Sequence, residues 1–455
     1  MTAPNDAAAV TVTSPANQVH LTERQATPYE SQRIERADAA SWKQLGINIQ
    51  RGFADPENSW QVTAGNLVGI AEIGDPTSPL TVRIGPKMEA DLFMLADWAF
   101  SRRGEQAPQS ALTAHLDVMR REPVACILAW YLQALEQFAI RWLRRDVRLR
   151  EDVLIGRVRG QMMMNDYVRR SVSAARPHHV PCRFLDTTRD TLPNRILLRA
   201  LRSVAALIPT LEIADARQHL RSTVSRIEPL FAGVADQTVS AGDFARIRYA
   251  GAQRHYQSII TKSQAILGGM FYTDTVGQHQ QRAFIWEAPR LFQEALRGLL
   301  ESSELADLDT TRHKVSVDRG DGVARAGSKV DPDYVLKRAG QTLLLDAKWK
   351  EVGQRAASRE PEEDVDLGEV AAGFKIKVSR PDVYQAVSYS QFDKYRPATT
   401  GLVYPIVLKA GAQLPKPMTI SGFGKPVWIL FIDVGVHART HRSTFFENLA
   451  IAWGI

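Results

Sequence analysis

A chain of 455 residues, 44% hydrophobic and 24% charged, has the composition of a soluble globular protein with room for two or three domains. A net charge of +7 excludes a polycation, so any contact with nucleic acid must come from local patches. Two cysteines exclude a disulfide framework, no apolar run reaches the length of a membrane span and no secretory signal opens the chain, so a cytoplasmic setting is expected.

Residues 1–18 are rich in Ala, Thr, Pro and Asn without apolar periodicity, which predicts a disordered tail. Residues 19–110 read as a β-rich domain. Short strands at 60–63, 67–70 and 80–84 alternate with Gly and Pro, and a helix follows with Leu92, Leu95, Ala96 and Ala99 on one face. Residues 111–284 read as a mainly helical middle domain. Its apolar stretch 125–132 must be buried, 194–207 and the long 244–266 region are helical, and Met162 to Met164 read as core filler. Arg141, Arg144, Arg145, Arg148, Arg150, Arg157 and Arg159 outnumber the acids among them. They fit either a phosphate-binding patch or a solvated helix face followed by a strand. His178, His179 and Cys182 lack a fourth zinc ligand nearby. His437 and His441 are four apart, with no adjacent acid, and are expected at a polar or DNA-facing surface.

From 285 to 455 the pattern is helix, hairpin, helix and strands, as a mixed sheet flanked by helices requires. An acidic segment, 351–373, interrupts it and reads as a flexible insertion that DNA would repel. Gly322 to Lys329 has the glycine spacing of a phosphate loop, but Ser328 precedes Lys329, the reverse of the required order. Nucleotide energy, if used, must therefore come from a partner.

The chemistry is concentrated in the hairpin. Pro332-Asp333-Tyr334-Val335-Leu336 and Thr342-Leu343-Leu344-Leu345-Asp346-Ala347-Lys348-Trp349 flank a polar break containing Gly340. A turn centred between Ala339 and Gly340 sets Asp333 opposite Asp346, where Cβ atoms are about 5 Å apart. Strand alternation puts Lys348 on the same face as Asp346. Two carboxylates at that spacing suit Mg²⁺, which takes one or two carboxylates plus water and substrate phosphate. Such a metal polarises a phosphodiester and acidifies a bound water, and a neighbouring lysine orients that water. Downstream, Ser379-Arg380-Pro381-Asp382 reads as a capping-box start to a helix carrying Gln385 and Tyr389 on one face. Upstream, Pro289 opens a helix with an apolar stripe of Leu291, Phe292, Ala295, Leu296 and Leu299.

Pro332-Asp333 with Asp346-Ala347-Lys348 resembles the PD-(D/E)xK nuclease motif, and Gln385 with Tyr389 resembles the Gln-xxx-Tyr element of a subset of those enzymes. In that family the preceding helix usually reads Leu-Phe-Glu. Here Gln293 stands in the acidic position, leaving Glu294 as first choice and Glu287 as second for a third acid. The likeness is wider still. Leu67-Val68-Gly69-Ile70, Thr81 to Lys87, Ile155 to Gly160, Val180 to Phe184, Asp190 to Leu197 and Gly401 to Pro405 are similar, in that order, to segments of McrC proteins.

The resemblance implies an α+β multidomain chain: a β-rich amino-terminal domain, a helical middle region and a carboxy-terminal PD-(D/E)xK restriction-endonuclease-like α/β domain. It implies a Mg²⁺-dependent DNA endonuclease subunit of an anti-phage McrBC-like restriction system. Asp333 and Asp346 would hold the metal, helped by the Ala347 carbonyl, with Lys348, Glu294, Gln385 and Tyr389 completing the catalytic set. The β-rich domain and adjoining helices would dock on a McrB-like AAA+ ring, stimulate the GTP hydrolysis of that ring and leave recognition of the modified base to it. Transient pairing of complexes would provide double-strand cleavage. The alternatives are a stand-alone nuclease of repair or recombination using the same site, and a non-catalytic assembly subunit.

Overall fold

The computed structural model describes residues 17–52, 59–75, 78–100, 113–273, 281–303, 307–309, 316–318, 324–326, 332–338, 340–350, 364–370, 374–391, 398–422 and 425–454. The chain divides into two compact units, one of residues 1–127 with 269–455 and one of residues 128–268. These boundaries correct the expected borders at 110 and 284, and the β-rich and nuclease-like segments belong to one unit.

The first unit contains two main sheets. The amino-terminal sheet is built from β1 (Gln18–Thr22), β2 (Leu67–Ile73), β3 (Leu80–Gly85), β4 (Met270–Thr273) and β5 (Gln281–Glu287), in the order β1-β3-β2-β5-β4. β1 runs parallel to β3, and the other pairings are antiparallel. Alternation in β3 buries Leu80, Val82 and Ile84, which join Val19, Leu21, Trp42, Val62 and Ile73 in one core. That β4 and β5 complete this sheet corrects the assignment of residues up to 284 to a helical middle domain. The β2 partner of β5 lies some 200 residues earlier, beyond the reach of any local pattern.

β5 passes directly into α2 (Ala288–Glu301), for which Glu287 is the N-cap and Pro289 lies in the first turn. Leu291, Phe292, Ala295, Leu296, Leu299 and Leu300 form its buried stripe. α2 packs on α1 (Leu92–Phe100) through Gly298, where a Cβ would come within 1.9 Å of the Trp98 carbonyl oxygen. Only glycine permits that approach.

The second sheet carries the hairpin β6 (Tyr334–Arg338) and β7 (Gln341–Ala347). They are followed by α3 (Arg380–Ser390), β8 (Ala398–Ile406) and β9 (Val427–Asp433). Its order is Asp307–Asp309, β6, β7, β8, β9, Met418–Ile420, antiparallel at both edges and parallel between β7, β8 and β9. Leu343, Leu344 and Leu345 are all buried because this central strand is covered on both faces. Gly340, with φ of 78°, supplies the turn. Of the acidic insertion expected at 351–373, Asp364–Val370 is a strand paired with Phe374–Ser379, which corrects a wholly flexible reading. Residues 1–16, 351–363 and 371–373 lie outside the described residues.

The second unit combines helices with a three-stranded antiparallel sheet of Asp146–Ile155, Gln161–Met162 and His179–Thr188. The expected helical run 244–266 is broken into Ala241–Ala245, a short 3₁₀ turn at Gly251–His255 and Tyr256–Gly269. Helix Pro123–Trp142 is, by length and composition, apolar enough to cross a membrane, contrary to the sequence expectation. Some 72% of its apolar window is buried within the protein, as in a core helix.

Candidate nuclease site

The site grows out of the hairpin register. Tyr334 pairs with Leu345, so Asp333 and Asp346 stand next along the ladder, in the register that a turn at 339–340 dictates. Asp346 is 4% exposed, and the Ala347 amide donates to Asp333 Oδ2 at 2.8 Å. Burial, and then the charge of Asp346, push the Asp333 carboxyl well above the usual carboxylate range. Burial also raises Asp346, against the lowering pull of Lys348.

Three side chains close a circuit with Asp346. Lys348 Nζ lies 2.5 Å from Asp346 Oδ2 and donates to Gln385 Oε1 at 2.6 Å. The Gln385 amide donates to the Tyr389 hydroxyl at 2.6 Å, and that hydroxyl donates to Asp346 Oδ1 at 3.3 Å. Gln385 and Tyr389 meet because i, i+4 residues share a helix face. Desolvation pushes the Tyr389 phenol upward, so it stays protonated and keeps donating. The sequence reading grouped Asp333, Asp346, Lys348, Gln385 and Tyr389, and the fold brings all five together.

Glu294 is elsewhere. It pairs with Arg297 at 3.8 Å, half-exposed, while Glu287 ends β5 at the surface. Gln293 is the α2 residue that reaches the hairpin, its amide donating to both Asp333 oxygens at 3.2 Å. The site therefore has an amide where the family pattern has an acid. Among the described residues no third His, Cys, Asp or Glu joins the two aspartates. Two adjacent carboxylates whose proton affinity is raised chiefly by desolvation, with the Asp346 charge adding to the rise at Asp333, fit a divalent cation. Such an ion would compete with Lys348 and the Gln293 amide for the same oxygens.

Asp382 does not act as the expected cap, since Ser379 makes no side-chain capping bond. It points inward and accepts two bonds from Lys350 at 2.6 and 2.7 Å and one from Tyr404 at 3.0 Å, 3.9 Å from Lys348. Lys350, two residues beyond Lys348, was the signal for this role. His441 is likewise internal. Its Nδ1 lies 2.7 Å from Asp433 and its Nε2 bonds the Ala412 carbonyl, which corrects its expected surface placement.

A second surface lies in the unit of residues 128–268. Asp146–Ile155 pairs with His179–Thr188, and one face covers Leu154, Val180, Cys182 and Phe184 with Met162 and Tyr167. The opposite face exposes Val147, Leu149, Val153, Ile155 and Leu185 at 49–65%, around the ion pair of Glu151 with Arg183. Of fourteen large apolar side chains exposed among the described residues, eleven lie between Ile140 and Leu185. Isolated exposed apolar residues are ordinary, but contiguous ones mark an interaction surface. Met164 is among them, which corrects its reading as core filler. The expected arginine patch is partly neutralised: Arg150 pairs with Asp152 and Asp186, and Arg159 with Asp186.

The family model described as McrBC 5-methylcytosine restriction system component matches residues 62–405. One similar solved structure is the refined half-complex from a tetradecameric assembly of Thermococcus gammatolerans McrB AAA+ hexamers with bound McrC. Its matching chain is 14% identical with a TM-score of 0.55, over 95% of this chain and 99% of that one. A second, the cryo-EM structure of the Thermococcus gammatolerans McrBC complex, matches at 15% identity and a TM-score of 0.42, over 62% of this chain and 87% of that one. No curated protein matches this chain.

Proposed function

The chain belongs to the family of McrBC 5-methylcytosine restriction system components, and we propose that within such a system it is the Mg²⁺-dependent DNA endonuclease subunit. The observation that carries this reading is the closed circuit of Asp346, Lys348, Gln385 and Tyr389 beside Asp333. Asp333 and Asp346 would hold the ion, which when bound supplies charge neutralisation and a more acidic water. The Lys348 ammonium orients the attacking water and offsets charge developing on the phosphate oxygens. Gln385 aims Lys348, and Tyr389 keeps Asp346 turned toward the site. Attack of the water oxygen forms one P–O bond as the bond to the leaving oxygen breaks; the proton shed by the water passes to solvent, the leaving oxygen takes one up from it, and the step does not use Glu294.

The nuclease acts with an AAA+ GTPase ring of the McrB type, which binds the GTP and reads the modified base. The related Thermococcus gammatolerans assembly joins McrC to such hexamers. The exposed apolar face of Val147, Leu149, Val153, Ile155 and Leu185 is a stronger candidate for ring docking than the amino-terminal sheet, whose apolar side chains are buried. Transient pairing of two complexes supplies the second cut. In a copurified complex with GTP, Mg²⁺ and methylated DNA, Asp346→Ala abolishes cleavage and leaves ring binding and GTPase stimulation intact. Undiminished cleavage by that variant would sink the assignment.

A further inference from the structure

Trp349 follows Lys348 and turns to the opposite side of the strand end, toward the amino-terminal sheet. It is 4% exposed, and its ring lies 5.3 Å from that of Phe292, the neighbour of Gln293. Its indole N–H is shared by both oxygens of Glu23, at 3.0 and 2.9 Å. Glu23 is fully buried, and its charge is balanced by the Lys87 ammonium 3.6 Å away. Lys87 also donates to the Trp349 backbone carbonyl and stands over the indole ring at 5.6 Å.

Glu23 and Lys87 are far apart in sequence but adjacent by topology. They follow the ends of the parallel neighbours β1 and β3, where Thr22 pairs with Gly85. The Glu23 amide bonds the Gly85 carbonyl, and the Lys87 amide donates to Glu23 Oε2 at 3.4 Å. A buried ion pair is weak evidence for stability, because desolvation opposes its attraction. Here the pair grips one residue from three sides, at the indole nitrogen, the carbonyl and the ring face. That residue sits between Lys348 and Lys350, whose ammonium groups engage Asp346, Gln385 and Asp382 on the other side of the strand.

We propose that Glu23 and Lys87 are positioning residues for the nuclease site, setting Lys348 through Trp349 and so making cleavage depend on the amino-terminal sheet. The proposal rests on the nuclease reading given above. The two Asp carboxylates lie outside this grip, so loosening it alters the placement of the lysine rather than the contacts made by DNA.

The test compares four variants with the parent in the copurified complex. Trp349→Phe keeps a ring against Phe292 and loses the indole donor. The double variant E23L/K87M removes both charges and the acceptor with apolar groups of similar size. E23Q leaves Lys87 in place and keeps an amide oxygen for the indole. Expected are kcat losses of about tenfold or more for W349F and E23L/K87M, within the roughly 100-fold that misplacement by about 1 Å can cost. KM for DNA stays unchanged, and E23Q retains most of the parent rate. Unchanged kcat in W349F overturns the proposal, as does a loss that appears only in KM or an E23Q variant as impaired as E23L/K87M. D346A is the control for the underlying reading. If D346A is inactive while W349F is fully active, only the coupling fails, whereas an active D346A removes the nuclease assignment itself.

Discussion

Replacing Asp333 by asparagine tests whether the paired aspartates form a cation site that costs the empty protein stability. Burial and the Asp346 charge push the Asp333 carboxyl up to about 6, from an ordinary 3.8. The folded state therefore holds a proton on Asp333 that the unfolded state releases first. Below about pH 4 the group is protonated in both states and costs nothing. As pH rises toward 6 the cost of the buried charge grows, and above 6 it is fully present. A rise of that size corresponds to roughly 3 kcal/mol; because Asp346 shares the effect, a net gain of about 1–3 kcal/mol is expected. The introduced carboxamide still offers an oxygen to the Ala347 amide, and Gln293 can turn its own carboxamide to face the new NH₂. In chelator-containing buffer, D333N should therefore unfold at higher denaturant than the parent at pH 7.5, and with the parent at pH 4. Mg²⁺ should narrow the gap. At about 10 mM and a Kd of about 1 mM it would add roughly 1.4 kcal/mol to the parent and nothing to D333N. A variant less stable than the parent at pH 7.5, or one gaining equally from Mg²⁺, would refute the reasoning.

Two predictions concern the other unit. L149D/L185D places charge on the exposed face while touching no core, so folding stability should fall only by about 1 kcal/mol, the cost of opposing two like charges across the strand pair, with ring binding weakened at least about 100-fold in a pull-down or titration. Preserved binding would move the docking surface elsewhere. Asp190 is lowered to about 2, chiefly by its hydrogen bonds from Arg195. Its stabilisation is complete above the unfolded pKa near 4 and is lost as pH falls toward 2. The stability curves of parent and D190N should therefore diverge at neutral pH and converge near pH 2, and parallel curves would show that the pair contributes nothing.

How much of this was legible depended on distance along the chain. The register placing Asp333 opposite Asp346 could be read because a short turn fixes it, and Gln385 and Tyr389 could be grouped because four residues make one helical turn. The identity of the residue reaching Asp333 from α2 could not be read in the same way. Adjacent helical positions differ by about 100°, and the orientation of the helix against the hairpin, set in part by the close approach at Gly298, selects Gln293 over Glu294. Asp382 was misread as a helix cap and His441 as a surface residue because their partners Lys350, Tyr404 and Asp433 lie on other segments of the chain. In the segment 146–155 the apolar alternation was present in the sequence, but only the pairing with 179–188 shows which face is covered.

The strand-to-helix passage at Glu287 has a consequence for how this protein can be divided or rebuilt. Residues 283–287 are hydrogen-bonded to β2 in one sheet, and six residues later the same backbone delivers Gln293 to Asp333 beside the other. No linker separates the two halves. A cut placed there would unpick a strand on one side and strip a site residue's support on the other, so the cutter is not a detachable cassette. Transplanting it onto another carrier should require β2 and β5 to travel with it as a suture between the halves.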